Sequence, residues 1–429
     1  MISVLVLIFV LVLIAIGMPV AFAIGIPGAS YFLLPSTFLP DQTAVQRIVA
    51  VSQSFPLLAV PLFILLGNLM NGSGVTERLL RLATTLAGWM MGGLAQASIL
   101  LSALMGGVSG SAVADSAMQA RVLGVPMVER GYSPGFVGAL LAIGGLITAT
   151  IPPSLGLILY GYLGEVSIGR LFIAGIVPGI LLTIALMAPT RFVAKRRNYT
   201  PERDSPPTLR EVWRDFIGGF WAVVFPVWLL VGIRFGLFTP SEAGAFAIAY
   251  ILIIGMFVYR ELTLRKILDA CLQSLTDIGM IMLIIFFSGA FGYVITFERV
   301  PQDIAQFALT ALTDPTVLLF VISGFLLVMG MLIEATVLVM LLTPILVPVI
   351  TAAGIDPVHF GLVMMTLVTF GGMTPPVGVS MFTVCGILNC SYRDYAKEAV
   401  PFIAAVIGTV ILIILFPQLV LFLPDWLFS

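Results

Sequence analysis

Eleven residues, Gly106 to Ser116 (GGVSGSAVADS), gather glycines, serines and Asp115 between apolar flanks, with no Leu, Ile or Phe among them. Polar, irregular backbone at membrane depth survives only where protein buries it or where it lines a wet cavity, so this stretch is a candidate binding site. Gly106, Gly107 and Gly110 permit tight turns, while Ser109, Ser111 and Asp115 offer oxygens to a cation or hydrogen bonds to a solute. A packing seam of small residues would account for the glycines and serines but not for Asp115. Asp115 has the further alternative of capping the second helix of a hairpin.

A second polar interruption follows at Gly330 to Thr336 (GMLIEAT), where Glu334 is an acid with no basic partner nearby in the sequence. Two proline pairs break two other apolar segments, in TATIPPS (Thr148 to Ser154) and FGGMTPPVG (Phe370 to Gly378), because consecutive prolines cannot continue a hydrogen-bonded helix. A hard cation such as Na⁺ takes a shell of oxygens, including carbonyls freed where helices unwind. Two Na⁺ sites are therefore expected. The first sets Ser109, Ser111 and Asp115 against Gly144, Gly145 and Thr148; the second sets Gly330, Glu334 and Thr336 against Thr369, Gly371, Gly372 and Thr374. An anionic solute between the tips would meet the positive ends of interrupted helices, since no arginine lies in the four segments.

These segments sit in a repeat. Gly107 and Gly330 are 223 positions apart, as are Gly131 and Gly354, Pro134 and Pro357, Pro152 and Pro375, Pro153 and Pro376, Arg170 and Arg393, and Pro178 and Pro401. VAFAI (Val20 to Ile24) matches GAFAI (Gly244 to Ile248) at an offset of 224. Two halves, each with an interrupted apolar segment in the corresponding place, point to a secondary transporter with its site where the repeats meet.

With 60% hydrophobic and 10% charged residues, the composition describes a polytopic protein of the lipid bilayer. The net charge of −1 and the lack of a basic patch exclude nucleic acid as an expected partner. Cys271, Cys385 and Cys390 lack metal-ligand spacing, and the methionines read as adaptable packing. The single histidine, His359, reads as structural. No H-E-x-x-H, nucleophile and base pair or phosphate loop is present, so the chain is not expected to be an enzyme.

Crossings are expected at Val4 to Ile16, treated as a membrane helix and not a leader, then at Pro19 to Leu34 and Phe55 to Met70. An interfacial arm (Val75 to Met90), a re-entrant hairpin (Leu94 to Gly124), a broken crossing (Gly135 to Leu163) and a whole one (Leu171 to Ala194) follow. After the hydrophilic stretch Asn198 to Arg214 come crossings at Phe216 to Phe238, Glu242 to Tyr259 and Ile278 to Phe297. A second arm (Val300 to Leu312), hairpin (Val317 to Val349), broken crossing (Val358 to Leu388) and last crossing (Pro401 to Leu423) close the plan. On this path sixteen of the twenty basic residues are cytoplasmic, and only Arg47, Arg170, Arg234 and Arg299 are outside. That bias supports the path and an inverted relation of the halves.

The expected fold is an all-α polytopic membrane protein of two inverted repeats. Its divisions are scaffold helices and arm (1–92), hairpin and broken helix (93–170), closing helix (171–197) and linker (198–214). Scaffold and arm (215–315), hairpin and broken helix (316–393) and closing helix (394–429) then repeat.

Eight motifs in order, GVSGSAVAD (Gly107 to Asp115), GYSPGF (Gly131 to Phe136), IPPS (Ile151 to Ser154), FTPSEA (Phe238 to Ala243), VYRELTL (Val258 to Leu264), LTPILVP (Leu342 to Pro348), GIDPVHFG (Gly354 to Gly361) and TPPVG (Thr374 to Gly378), span nearly the whole chain. As a set they resemble the large membrane subunit of TRAP (tripartite ATP-independent periplasmic) transporters. The resemblance implies a Na⁺-driven importer of an organic acid in the bacterial inner membrane. It implies a periplasmic substrate-binding protein and a small four-helix membrane subunit as partners, and elevator-type movement. It assigns solute contacts to Ser109, Gly110, Pro152, Pro153, Ser154, Pro375, Pro376 and Ser380. Glu334-Ala335 stands where the family has Asp-Pro, Thr148-Ala149 where Gly-Pro is usual, and Ser380 where Asn is common. A solute other than the familiar dicarboxylates and sialic acids is therefore expected. The rival reading is a stand-alone Na⁺/carboxylate symporter or ion exchanger.

Overall fold

The computed structural model describes residues 2–33, 40, 42–107, 110–312 and 314–428. Helices α1 (Ile2–Ala15) and α2 (Val20–Phe32) are joined through Gly17, whose φ of +85° only glycine adopts without strain. Then come α3 (Gln42–Ser52), α4 (Ala59–Gly72), the arm α5 (Val75–Ala87) and the hairpin helices α6 (Gly93–Gly106) and α7 (Ala112–Gln119). A π-helical turn, Ala120–Gly124, leads to α8 (Val125–Glu129). The broken pair α9 (Pro134–Thr150) and α10 (Leu155–Leu163) bends by 47°, and α11 (Ile168–Arg196) closes this half.

The second half runs α12 (Leu209–Arg234), α13 (Pro240–Ile253), α14 (Leu264–Phe297), α15 (Val300–Ala311), α16 (Pro315–Leu332) and α17 (Ala335–Ala352). It ends with α18 (Pro357–Gly371), α19 (Val379–Leu388), α20 (Tyr392–Leu415) and α21 (Gln418–Phe428). Among the described residues eight helices are long and apolar enough to cross a bilayer, and α9 with α10 makes a ninth span.

The broken helices form the centre. Every residue of α9 from Gly135 to Thr150, and of α18 from Val358 to Gly371, is buried. A helix apolar on all faces belongs in a core. Around them the two halves interlock: α10 packs on α17 of the second hairpin, and α19 packs on α7 of the first. Those two contacts exchange under the 223-residue offset, as do α6 on α9 and α16 on α18. The X-Pro bonds Pro152-Pro153 and Pro375-Pro376 are both cis.

Boundaries differ from the sequence reading where polar side chains start helices early. Thr208 and Glu211 form a reciprocal capping box, so α12 begins at Leu209, inside the expected linker 198–214. The Thr263 hydroxyl accepts from Lys266 N, and α14 starts there instead of at Ile278, reaching 34 residues. The Ser391 hydroxyl accepts from Asp394 N, so α20 starts at Tyr392. The expected divisions at 170, 214 and 393 thus fall inside α11, α12 and α20. The expected last crossing, Pro401 to Leu423, is two helices, because Pro417 has no N–H to continue α20. Helix α3 was not anticipated.

Ion pairs gather at the two ends of α11, which at 1.5 Å per residue is about 43 Å long. Arg170 meets Asp425 at 2.5 Å near one end, and Arg197 meets Glu398 at 2.7 Å at the other. Beyond Arg197 the chain returns to the start of the first hairpin, where Gly92 N donates to Tyr199 O and Glu202 N to Gly88 O.

Candidate functional site

Asp115 is the fourth residue of α7, and Gln119, one turn on, shares its face. Helix α6 brings Ser102 and α9 brings Thr148 to the same point. Asp115 Oδ2 accepts from the Thr148 hydroxyl at 2.8 Å, the Gln119 amide at 2.9 Å and the Ser102 hydroxyl at 3.4 Å. The Gln119 amide also donates to Ser102 Oγ at 2.7 Å. The carboxylate is 1% exposed, and its Oδ1, like Gln119 Oε1, is buried with no partner among the described residues. No basic side chain pairs with it among the described residues. A buried carboxylate with one spare oxygen, beside a spare amide oxygen, calls for a positive partner, and this donor set fits a hard cation. Capping falls to Ser111, whose hydroxyl accepts from Ala114 N at 3.4 Å, so Asp115 is not the cap.

Gly144 and Gly145 do not supply freed carbonyls, because α9 runs unbroken to Thr150. The carbonyls left without an i+4 donor are those of Thr148 and Ala149, since Pro152 and Pro153 carry no N–H. Gly145 serves packing: a Cβ there would fall 2.2 Å from Ser116 Oγ and 2.7 Å from Ala112 O. Ser109 lies outside the described residues.

The second tip is built differently. Glu334 is the N-cap of α17, accepting from Val337 N at 3.2 Å and from the Thr336 hydroxyl at 2.9 Å, and it is half-buried. Gly330 and Gly371 let α16 and α18 touch backbone to backbone; a Cβ on Gly371 would lie 2.3 Å from Gly330 C. The Gly371 carbonyl accepts from Thr374 N and Oγ1, and the Gly372 carbonyl accepts from Ser380 N at 2.9 Å. Both carbonyls expected to be free are thus engaged, because the break after α18 turns back on itself.

A narrow cavity of ≈ 70 Å³ lies between the two tips and the two breaks, lined by Ser111, Ser154, Glu334, Thr336, Thr369 and Ser380 among others. The Ser154 hydroxyl is buried without a partner among the described residues. The cavity shares Gly110, Ser111, Glu334 and Thr336 with a wider one of ≈ 490 Å³ that reaches α4 and α14. Of the expected solute contacts, Gly110, Ser154 and Ser380 line the narrow space and Pro153 the wide one, whereas Pro152, Pro375 and Pro376 line neither. Sequence reasoning missed Ser102 and Gln119, Met365 at the narrow cavity, and Asn68 and Asp277 at the wide one. The signals were present: Gln119 follows Asp115 by four residues, and Asn68 and Asp277 interrupt apolar helices. His359 lines neither cavity; its Nε2 is 2.9 Å from the Ile413 carbonyl, which lacks a helical donor because residue 417 is proline.

The family described as "Tripartite ATP-independent periplasmic transporter, DctM component" matches residues 7–419. This chain belongs to that family. It is a multi-pass TRAP transporter large permease, and its relatives are transport permeases, not enzymes. It is 36% identical to the sialic acid TRAP transporter permease protein SiaT of Haemophilus influenzae over 97% of its own length and 67% of that protein's. It is 35% identical to the sialic acid TRAP transporter large permease protein SiaM of Vibrio cholerae, over 95% of each chain. Among solved structures, the YdaH transporter of Alcanivorax borkumensis shares the fold at a TM-score of 0.62 and 14% identity, over 97% of this chain and 98% of that one.

Proposed function

We propose that this permease carries a carboxylate-bearing organic solute into the cell by symport with Na⁺. It takes the solute from a periplasmic substrate-binding protein and works beside a small four-helix membrane subunit in the bacterial inner membrane. The observation that carries the reading is the cavity bounded by both hairpin tips and both helix breaks, with the unpaired Asp115 carboxylate buried behind it. Sialic acid, in the names of two relatives, is an organic acid of this class.

Na⁺ is a co-substrate here. Asp115, Gln119, Ser102 and Thr148 supply oxygens on the first side; Thr369 and Thr374, at the end of α18 and the break after it, supply them on the other. Coupling follows from charge, since a carboxylate entering the space between the tips adds negative charge near the buried Asp115, and bound cations offset it. The two halves have opposite orientations in the membrane, and α6 to α10 with α16 to α19 travel as one body against the remaining helices. Supporting this, α10 on α17 and α19 on α7 tie both hairpins and both broken helices together.

The test is uptake into proteoliposomes of the purified permease with its small subunit, with and without an inward Na⁺ gradient. Uptake that needs both the gradient and a binding protein is expected. Equal uptake in K⁺ removes the Na⁺ coupling, and uptake without any binding protein favours a stand-alone symporter.

A further inference from the structure

We propose that the carried solute bears a positively charged nitrogen as well as its carboxylate, and that Glu334 and Asp277 select for that nitrogen. The inference rests on the transport reading above and narrows its substrate class.

The wide cavity has the volume of a small-molecule site, ≈ 490 Å³. Among the described residues no Lys, Arg or His lines it, yet two carboxylates do. Glu334 comes from the second hairpin tip and Asp277 from α14, and both line this cavity. Both acids are held by neutral donors alone. Asp277 accepts from the Asn68 amide at 3.1 Å and from the Gln273 amide at 3.2 Å, and Asn68 is itself steadied by Ser274 Oγ at 3.0 Å. Among the described residues Glu334 accepts from Thr336 and Val337 alone. Among the described residues neither acid has an ion-pair partner, so the wall's negative charge is uncompensated.

The narrow cavity, which Glu334 also lines, adds a neutral donor. Ser154, 1% exposed, stands at the N-terminus of α10 and lines the narrow space, and its hydroxyl has no partner among the described residues. A spare donor at a helix start suits a carboxylate. A simple carboxylate would leave the two acids facing nothing positive. A zwitterion satisfies both ends: carboxylate toward Ser154, cationic nitrogen toward Glu334 and Asp277. Between them Phe63, Ile64, Met280 and Ile281 offer an apolar wall for methyl or methylene groups.

Glycine betaine and 3,3-dimethylbutanoate have the same shape and carboxylate and differ only in a quaternary nitrogen replaced by carbon. Thermal unfolding of the full chain, purified in detergent with any small subunit that accompanies it, is followed against each compound in NaCl and in KCl. Half-maximal stabilisation is expected at a roughly tenfold lower concentration of betaine than of its isostere. Asp277→Asn and Glu334→Gln should each shrink that ratio about threefold or more while Na⁺ still stabilises the protein. The inference is overturned by equal or tighter response to 3,3-dimethylbutanoate, by no response to either compound, or by an unchanged ratio in both variants. Na⁺ stabilisation without betaine preference would overturn this inference and leave Na⁺ coupling standing. Betaine preference with identical behaviour in NaCl and KCl would do the reverse.

Discussion

The two hairpin tips descend from corresponding stretches of a repeat, yet their acids are placed in opposite ways. Asp115 sits at the end of its helix's first turn, fully buried, with three side-chain donors on one oxygen and, among the described residues, none on the other. Glu334 sits at the helix start, half-buried at a cavity wall, with the first turn of α17 satisfying it. A carboxylate at an N-cap is stable without a counter-ion because backbone N–H groups and the helix dipole face it. Among the described residues Asp115 accepts from side chains alone and from no backbone N–H. On the proposed reading the first tip therefore holds an ion, and the second faces the solute.

The largest effect should come from Asp115→Ala. Thr148, Gln119 and Ser102 would lose a shared acceptor in a dry interior, where each orphaned group costs about 1–3 kcal/mol. Thermal melting in detergent should fall clearly, its Na⁺ dependence should vanish, and Na⁺-coupled uptake should drop at least tenfold, by about 1.4 kcal/mol or more. If Asp115→Ala melted like the parent and still responded to Na⁺, the contrast between the tips would collapse.

Next in size are two glycines that hold the tips against the broken helices. Gly145→Ala puts a methyl on Ser116 and Ala112, and Gly371→Ala puts one on the Gly330 backbone. Overpacking of this kind costs about 1–3 kcal/mol. Adding Ser116→Ala should recover part of the loss at Gly145, since it removes the nearer atom; no side-chain change can relieve the clash at Gly371. Melting curves of the two singles and the double decide this.

Glu334 sharpens the comparison through two substitutions. Glu334→Ala removes a cap worth about 1 kcal/mol and should lower uptake, whereas Glu334→Gln keeps an acceptor and should leave the melting temperature nearly unchanged. Equal destabilisation by both would mean that the charge, and not the cap, holds the second tip. The smallest effect is expected from His359→Phe, which substitutes the residue found 223 positions earlier, Phe136. It leaves the Ile413 carbonyl unpaired, at a cost of about 1 kcal/mol, and most uptake should survive.

Much of the fold was legible because its signals are local. Apolar lengths marked the crossings, proline pairs marked the breaks, and the glycine-rich tips marked the hairpins. The helix starts at Leu209 and Leu264 were also encoded, in Thr208 with Glu211 and in Thr263, but a capping signal is short and the apolar pattern beginning further on obscured it. The partners of Asp115 were less accessible. Ser102 and Thr148 lie 13 and 33 residues away, on two other helices, and nothing in their own neighbourhoods marks them.

By itself, the sequence determined that this is a membrane protein of two related halves, each with a hairpin and a broken helix. Hydropathy, proline chemistry and a constant offset act through neighbouring residues or through covalent order. Only the tertiary structure decided which oxygens are left over. Whether a carboxylate is a cap or a ligand depends on which donors other helices bring to it, and Asp115 and Glu334 look alike until α6, α9 and α17 are in place. The same holds for Asp277, an acid among apolar residues of α14, which shares a cavity with Glu334 only in the folded chain.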